Sequence, residues 1–384
     1  MTTNFNASDS IFGTVDLDEK YITDAWLVDQ FVGTGLIGVG GINNYGDLGT
    51  GNTSYSSPIQ IGSLTDWKQV SATGNFTGAI KTDGTLWTWG NNTFGTLGNG
   101  TNGTHYSSPI QIGSLTNWKE ISCGYFNTLA IKTDGTLWTW GYNGTGGLGN
   151  GNSTWYSSPI QVGSLTDWKQ VSVGVNATAI KTDGTLWTWG ENTYGQLGNG
   201  NTTNYSSPVQ VGTLTDWKQV AGHYQTMAIK TDGTLWGCGY NNHGQLGNGT
   251  TTHYSSPIQI GSLTNWKQVA CGYTRIAAIK TDGTLWTCGY NQYGQLGNGT
   301  TTYYSSPIQV GSLTNWKQVA CGYGNFAAIK TDNTLWTCGY NINGQLGNGT
   351  ITDYSSPIQV GTLTNWKQVT CGSFDTIALQ IKDI

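Results

Sequence analysis

All seven prolines of this 384-residue chain fall in one phrase, Ser-Ser-Pro, at Pro58, Pro109, Pro159, Pro208, Pro257, Pro307 and Pro357, 49 to 51 residues apart. A period of that length marks repeated supersecondary units, each of which must bury its apolar face on a neighbour. Nine residues after each proline stands a Trp-Lys pair, from Trp67-Lys68 to Trp366-Lys367. Ala-Ile-Lys-Thr-Asp-Gly-Thr-Leu-Trp follows six times, with Asn333 replacing Gly in the sixth copy. The unit ends in Gly-x-Asn-x-x-Gly-x-Leu-Gly-x-Gly, found seven times from Gly41, Gly90, Gly141, Gly190, Gly239, Gly289 and Gly339.

Inside a unit the pattern is strand and turn. The runs beginning Pro58-Ile59, Trp67-Lys68 and Thr85-Leu86-Trp87 are short and rich in β-branched and aromatic residues. Asp83-Gly84 reads as a two-residue hairpin, expected as a type I′ turn with positive φ at both centres. Four short strands per unit, seven times over, give an all-β fold: a seven-bladed β-propeller with four-stranded blades. A parallel solenoid competes, but its rungs are shorter and it needs distinct end caps.

The two ends favour the ring. After residues 377–381 the last unit lacks a Leu-Trp-Thr-Trp-Gly strand, and residues 35–41 supply the missing piece at the start. The N-terminal strand is therefore expected to complete the C-terminal blade, which removes free sheet edges. Residues 35–384 then form the propeller and residues 1–34 an acidic extension.

Only 10% of the residues are charged, and the net charge of −5 resides in residues 1–34, where six acids face Lys20 alone. The remainder is balanced and holds a single arginine, Arg275. Recognition of a phosphate backbone draws on several clustered cations, so direct nucleic-acid binding is not expected. With 18 Trp and 20 Tyr the chain buries too much apolar area to stay unfolded. Membrane insertion is not expected, since no apolar run approaches ~18 residues. The start MTTNFNASDS lacks the basic and apolar segments of a secretory signal, which points to synthesis in the cytoplasm.

The order of these phrases resembles the repeats of the regulator of chromosome condensation family over about residues 35–384. That resemblance implies a seven-bladed propeller with a swapped terminal strand. The family includes nucleotide-exchange factors, ubiquitin-ligase modules and an inhibitory protein, so the fold alone does not specify a role. Family members often carry His in Gly-x-x-His-x-x-Ala-Leu; the matching positions here hold Asn127, Gln225, Arg275, Asn325 and Asp375, which argues against an exchange function. The Gly/Asn/Thr/Trp-rich repeats also look like those of proteins encoded by bacteriophages, which implies a virion surface or tail role.

Catalytic and metal signatures are missing: there is no Cys-x-x-Cys, His-x-x-x-His, Gly-x-Ser-x-Gly, Walker loop or His-Glu-x-x-His. The chain therefore reads as non-enzymatic, without cofactor or metal. Cys123, Cys271, Cys321 and Cys371 share one repeat position with Ala72 and Val173 and read as small core residues, their thiols reduced. The loop asparagines, Asn43 and its six equivalents, are expected to bond loop backbone, and the hairpin aspartates to serve their turns. Trp89, Trp140 and Trp189 give way to Cys238, Cys288 and Cys338 in later units, with Tyr240, Tyr290 and Tyr340 as expected fillers of the space.

Positions that vary among near-identical copies are the functional leads. One set precedes the tyrosine of Tyr-Ser-Ser-Pro: Ser54, His105, Trp155, Asn204, His253, Tyr303 and Asp353, a candidate binding rim. The second comprises Tyr125, Asn127, His223, Gln225, Tyr273, Arg275, Tyr323, Asn325 and Asp375, expected at one mouth of the central channel. Aromatic rims suit protein or glycan contact. The third is the extension, where Tyr21, Trp26, Leu27 and Phe31 fit one side of a short docking helix. Together these give a binding or assembly propeller whose partners are virion proteins or a host surface glycan. The alternative is a propeller that regulates or inhibits a partner enzyme.

Overall fold

Each repeat folds into strands where its phrases place large side chains. In the second repeat these are Trp118–Cys123, Asn127–Lys132, Leu137–Gly141 and Tyr156–Gln161, hydrogen-bonded in that order as one antiparallel sheet. The computed structural model describes residues 35–380 apart from residues 52 and 64. Among the described residues there are seven such four-stranded sheets and no helix. The extension, with Tyr21, Trp26, Leu27 and Phe31, lies outside the described residues.

Numbering the strands β1 to β28 along the chain, the closing blade has the order β2-β1-β28-β27. Here β1 is Gly35–Gly41, β2 Ile59–Gln60, β27 Trp366–Cys371 and β28 Asp375–Gln380. Leu36 pairs with Leu379 and Gly38 with Ile377, so the two ends of the chain share one sheet. The core is divided among the junctions between blades. Leu129, Ile131 and Leu137 of the second blade pack on Trp168, Val171 and Trp189 of the third. Leu48 and Ile377 of the closing blade pack in the same way on Trp67, Val70 and Trp89 of the first.

A side-chain amide stitches the innermost strands together. Gln69 donates to Ile121 O and accepts from Ile121 N, both at 3.1 Å, so it extends the backbone pattern into the next blade. Gln219 does the same to Val269, donating at 2.8 Å and accepting at 2.9 Å. In the second blade Glu120 takes this place; it accepts from Val171 N at 3.0 Å and, when ionised, has no proton to donate in return.

Two local expectations are corrected. The Asp83-Gly84 hairpin exists, but only Gly84 has a positive φ, 81°, and Asp83 does not. Gly84 N donates to Lys81 O and Lys81 N to Thr85 O. The Asp83 carboxylate accepts from Thr85 N and Oγ1, at 2.9 and 2.7 Å, which holds this tighter turn. In the sixth copy Asn333 supplies the positive φ, 59°. At two of the three positions where Cys replaces Trp a larger cross-strand partner, and not the later tyrosine, takes up the space, while Cys238 still faces a threonine, Thr226. Thr77 and Thr128 face Trp89 and Trp140, whereas Ile276 and Phe326 face Cys288 and Cys338. Tyr240, Tyr290 and Tyr340 are half-exposed.

The lysine of Ala-Ile-Lys has a structural task that its sequence context conceals. Lys181 Nζ lies 4.9 Å from the Trp168 ring and 4.3 Å from the Trp187 ring, a cation–π cage near the hairpin end. Asp167 adds an ion pair at 3.5 Å.

Candidate functional site

Antiparallel connectivity decides which loops share a face. The loop between a blade's first two strands and the loop between its last two lie at one end, and the Asp-Gly hairpin lies at the other. The residues expected at the rim and those expected at the channel mouth therefore occupy the same face of the ring. Both sets of loops start at fixed strand ends, after Cys123 or Gly141 in the second blade.

Within the outer loops the asparagine is the organiser. Asn43 Nδ2 donates to Gly51 O at 2.8 Å and to Thr53 O at 3.0 Å, while Oδ1 accepts from Leu48 N at 2.7 Å. The variable rim position completes this loop in five blades, because its side chain accepts the asparagine's own N–H. Ser54, His105, Asn204, His253 and Asp353 accept from Asn43, Asn92, Asn192, Asn241 and Asn341 at 2.6–3.2 Å. What looks like variation is thus a choice among acceptors. Trp155 and Tyr303 depart from it: their rings are 47% and 44% exposed and rest against Tyr142 and Tyr290, at 4.9 and 4.7 Å between centroids.

The nine mouth residues separate into two tiers. Tyr125, Tyr273 and Tyr323 are partly exposed, and the ring of buried His223 lies 6.1 Å from Tyr125 and 5.6 Å from Tyr273. Tyr273 in turn contacts Tyr323 at 4.9 Å, and Tyr323 contacts Phe374 at 5.4 Å. Beneath them Asn127, Gln225, Arg275, Asn325 and Asp375 are buried, and three of the five, Gln225, Arg275 and Asn325, bridge to the next blade. Gln225 Nε2 donates to Gly272 O at 3.0 Å, Arg275 donates to Tyr323 O at 3.1 Å and to Asn325 O, and Asn325 Nδ2 donates to Thr376 Oγ1 at 3.0 Å. The burial follows from position, since each of the five opens a fully buried second strand.

Sequence reasoning missed several members of this face. Phe94, Phe126, Tyr142, Tyr224 and Phe374 line, with Tyr125, Tyr273 and Tyr323, a cavity of about 640 Å³ at the mouth. They differ from blade to blade, and only the shared loop end brings them together. Phe94 contacts Phe126, Tyr142 and Trp155 within 5.0–5.3 Å, which links rim to mouth.

The electrostatics are sparse. Among the charged residues of these loops, only Glu191 and Asp353 are not buried. Burial, then the charge of Arg275, pulls the His223 imidazole down to about 4, so it is neutral at physiological pH. At the closing blade, burial and then the Asp47 carboxyl hold Asp375 well above the usual carboxylate range, and burial pushes Asp47 up to about 7. No neighbouring side chain donates to either Asp375 oxygen. Among the described residues there is no cluster of three or more His, Cys, Asp or Glu that would hold a metal ion. The face is thus one of partly exposed rings over buried amides.

Comparison with known proteins agrees with this architecture. The sequence pattern of the RCC1-like domain matches residues 39–378. An Arabidopsis thaliana mitochondrial protein, the RCC1 domain-containing RUG3, is 35% identical over 31% of this chain and 26% of its own length. The Arabidopsis ultraviolet-B receptor UVR8 is 34% identical over 29% of this chain and 26% of its own length. The matched stretches thus span about a quarter of those relatives. Human WBSCR16 superposes with a TM-score of 0.81 at 21% identity, over 92% of this chain and 100% of that one. Prp20p of Saccharomyces cerevisiae, described with its binding to Gsp1p and histones, gives 0.81 at 18% identity over 92% and 93%.

Proposed function

Because this chain belongs to the RCC1-like domain family, we propose that it is a non-enzymatic binding propeller that meets a protein partner through its aromatic face. The carrying observation is Trp155 and Tyr303. At a position where five other blades place a hydrogen-bond acceptor, these two present exposed rings that contribute nothing comparable to their loops. Large aromatic side chains on an almost uncharged surface are what interface centres use, because they remove much area from water at low entropy cost. The protein partners named for yeast Prp20p are consistent with such a role.

In its finer form the reading is assembly: the partner is another virion protein, as the resemblance to phage-encoded repeats suggests. The competing form is one-to-one regulation of a partner enzyme. A variant with Trp155→Asn and Tyr303→His tests the face, against a control with Lys169→Ser and Lys317→Ser toward the hairpin end. Loss of co-purifying proteins from the first variant alone is expected; equal loss from both, or from neither, would refute the face. Co-sedimentation with purified particles supports assembly, and a soluble one-to-one complex supports regulation.

A further inference from the structure

The third blade breaks the aromatic pattern of this face twice. After the glycine that opens the outer loop, the second, fourth, fifth and sixth blades carry Tyr142, Tyr240, Tyr290 and Tyr340; the closing and first blades carry uncharged Ile42 and Asn91, and the third carries Glu191. Its inner loop, Gly174-Val175-Asn176, is also one residue shorter than Gly124-Tyr125-Phe126-Asn127 and brings no ring. Two rings are therefore missing at one point, and the cavity at the mouth opens there, with Glu191, Val175 and Thr145 in its wall.

Among the described residues, Glu191 is the only charged one lining that cavity. Its carboxylate is half-buried and receives one long hydrogen bond, from Thr193 Oγ1 at 3.5 Å. Burial raises its pKa. The Tyr224 phenol is pushed up as well, by burial first, then by Tyr273, then by Glu191, and Tyr224 lines the same cavity as the carboxylate. A desolvated carboxylate among aromatic faces lacks a counter-ion. A neutral ligand would leave it so, and an anion would be repelled. A cation would gain both the ion pair and the negative faces of the rings.

We propose that this cavity is a site for an alkylammonium group, a lysine side chain of the partner, held between Glu191 and the rings of Tyr125, Tyr224 and Tyr273. The inference rests on the reading of the aromatic face as the partner-binding surface and specifies what that surface recognises.

The test uses the full chain and a small probe, Nα-acetyl-lysine N-methylamide, in calorimetric titration beside its uncharged isostere Nα-acetyl-norleucine N-methylamide. Saturable binding of the lysine probe alone is expected, weakened by added salt. Glu191→Gln should weaken it about tenfold or more. Glu191→Tyr, which installs the residue of four sister blades, should abolish it while the protein still melts cooperatively. Equal binding of norleucine, no saturable binding of the lysine probe, or unchanged affinity in Glu191→Gln would overturn the proposal. The larger reading fails separately. If partner capture is lost in Trp155→Asn/Tyr303→His while the lysine probe does not bind, this site is refuted and the face stands. Glu191-dependent probe binding with partner capture untouched by those substitutions upholds the site and refutes the face.

Discussion

Gln368 and Val70 are 298 positions apart in sequence, yet the Gln368 amide donates to Val70 O at 3.0 Å and accepts from Val70 N at 3.1 Å. The last blade thereby grips the first with the clasp that Gln219 applies to Val269 between interior blades. A closed ring makes every junction equivalent, and an open stack would leave this one without a partner.

Gln368→Ala should therefore destabilise the protein as much as Gln219→Ala does. Each substitution leaves one N–H and one C=O without the partner they had, at a cost of about 1–3 kcal/mol for each group that water cannot reach. Urea unfolding of the two variants checks this. A silent Gln368→Ala beside a damaging Gln219→Ala would mean that the ring is open in solution.

Glu120→Gln should stabilise the protein near neutral pH. The native carboxyl accepts from Val171 N but has no proton to give to the neighbouring backbone once ionised, and burial pushes it up to about 7. An acid raised in the folded state contributes stability that is complete below its unfolded value, near 4.5, and lost as pH climbs through about 7. The shift corresponds to about 3 kcal/mol as an upper bound. Melting temperature against pH should fall less steeply over that window in Glu120→Gln than in the wild type; parallel curves would contradict the assignment.

The closing junction carries the same signature more strongly. Asn325 reaches Thr376 across one junction with an amide, but the equivalent Asp375 of the closing blade carries a carboxyl, close to that of Asp47. Burial first, and then mutual repulsion, favours the protonated form of Asp375, so this seam too weakens as pH rises from about 4 toward 7 and beyond. Asp375→Asn should raise stability at pH 8 more than at pH 5. Denaturation at both values decides it, and a loss at pH 8 would show that the carboxylate has a partner there.

How much of this was legible in the sequence follows from what a repeat encodes. Prolines and Trp-Lys pairs recur in all seven units and the Asp-Gly or Asp-Asn hairpin in six, so blade number, strand count and closure could be read from spacing alone. The Asn43-type loop bonds were equally legible, because an invariant amide in a glycine-rich bend has few other uses. The site was legible only as two lists. Nothing in spacing shows that Arg275 and Asp375 lie buried under Tyr323 and Phe374, since a buried strand start and an exposed loop end are one or two residues apart. Glu191 drew no notice because its importance lies in what surrounds it, and those rings come from other blades.

The lysine cages form a natural comparison series. Lys81, Lys181 and Lys230 pair with Asp66, Asp167 and Asp216 at 3.4–3.6 Å, whereas Asn117, Asn265 and Asn315 replace the acid in three other blades. In those blades burial lowers the pKa of Lys132, Lys280 and Lys330. Asn265→Asp should raise the Lys280 pKa, measurable by NMR titration of its Nζ resonance. The gain in stability should stay under about 1 kcal/mol, because the aspartates of the existing pairs are 39–44% exposed and solvent screens them. No change in the Lys280 titration would mean that the tryptophan rings alone set its environment.

Trp155→Asn is expected to make the protein more stable while making it a poorer binder. In the third blade Asn204 Oδ1 accepts the N–H of Asn192 at 2.8 Å, and in the second Trp155 stands at the equivalent position with no acceptor for Asn143. Restoring that bond should add about 1 kcal/mol. The substitution also removes an indole that is 47% exposed and linked to Phe94 and Tyr142. A stabilising change at the expense of an exposed ring is the pattern of a residue kept for contact. Thermal melts should therefore rise as partner capture falls. A variant that melts lower than the wild type would show that the indole supports its loop, and the argument from Trp155 to a binding face would fail.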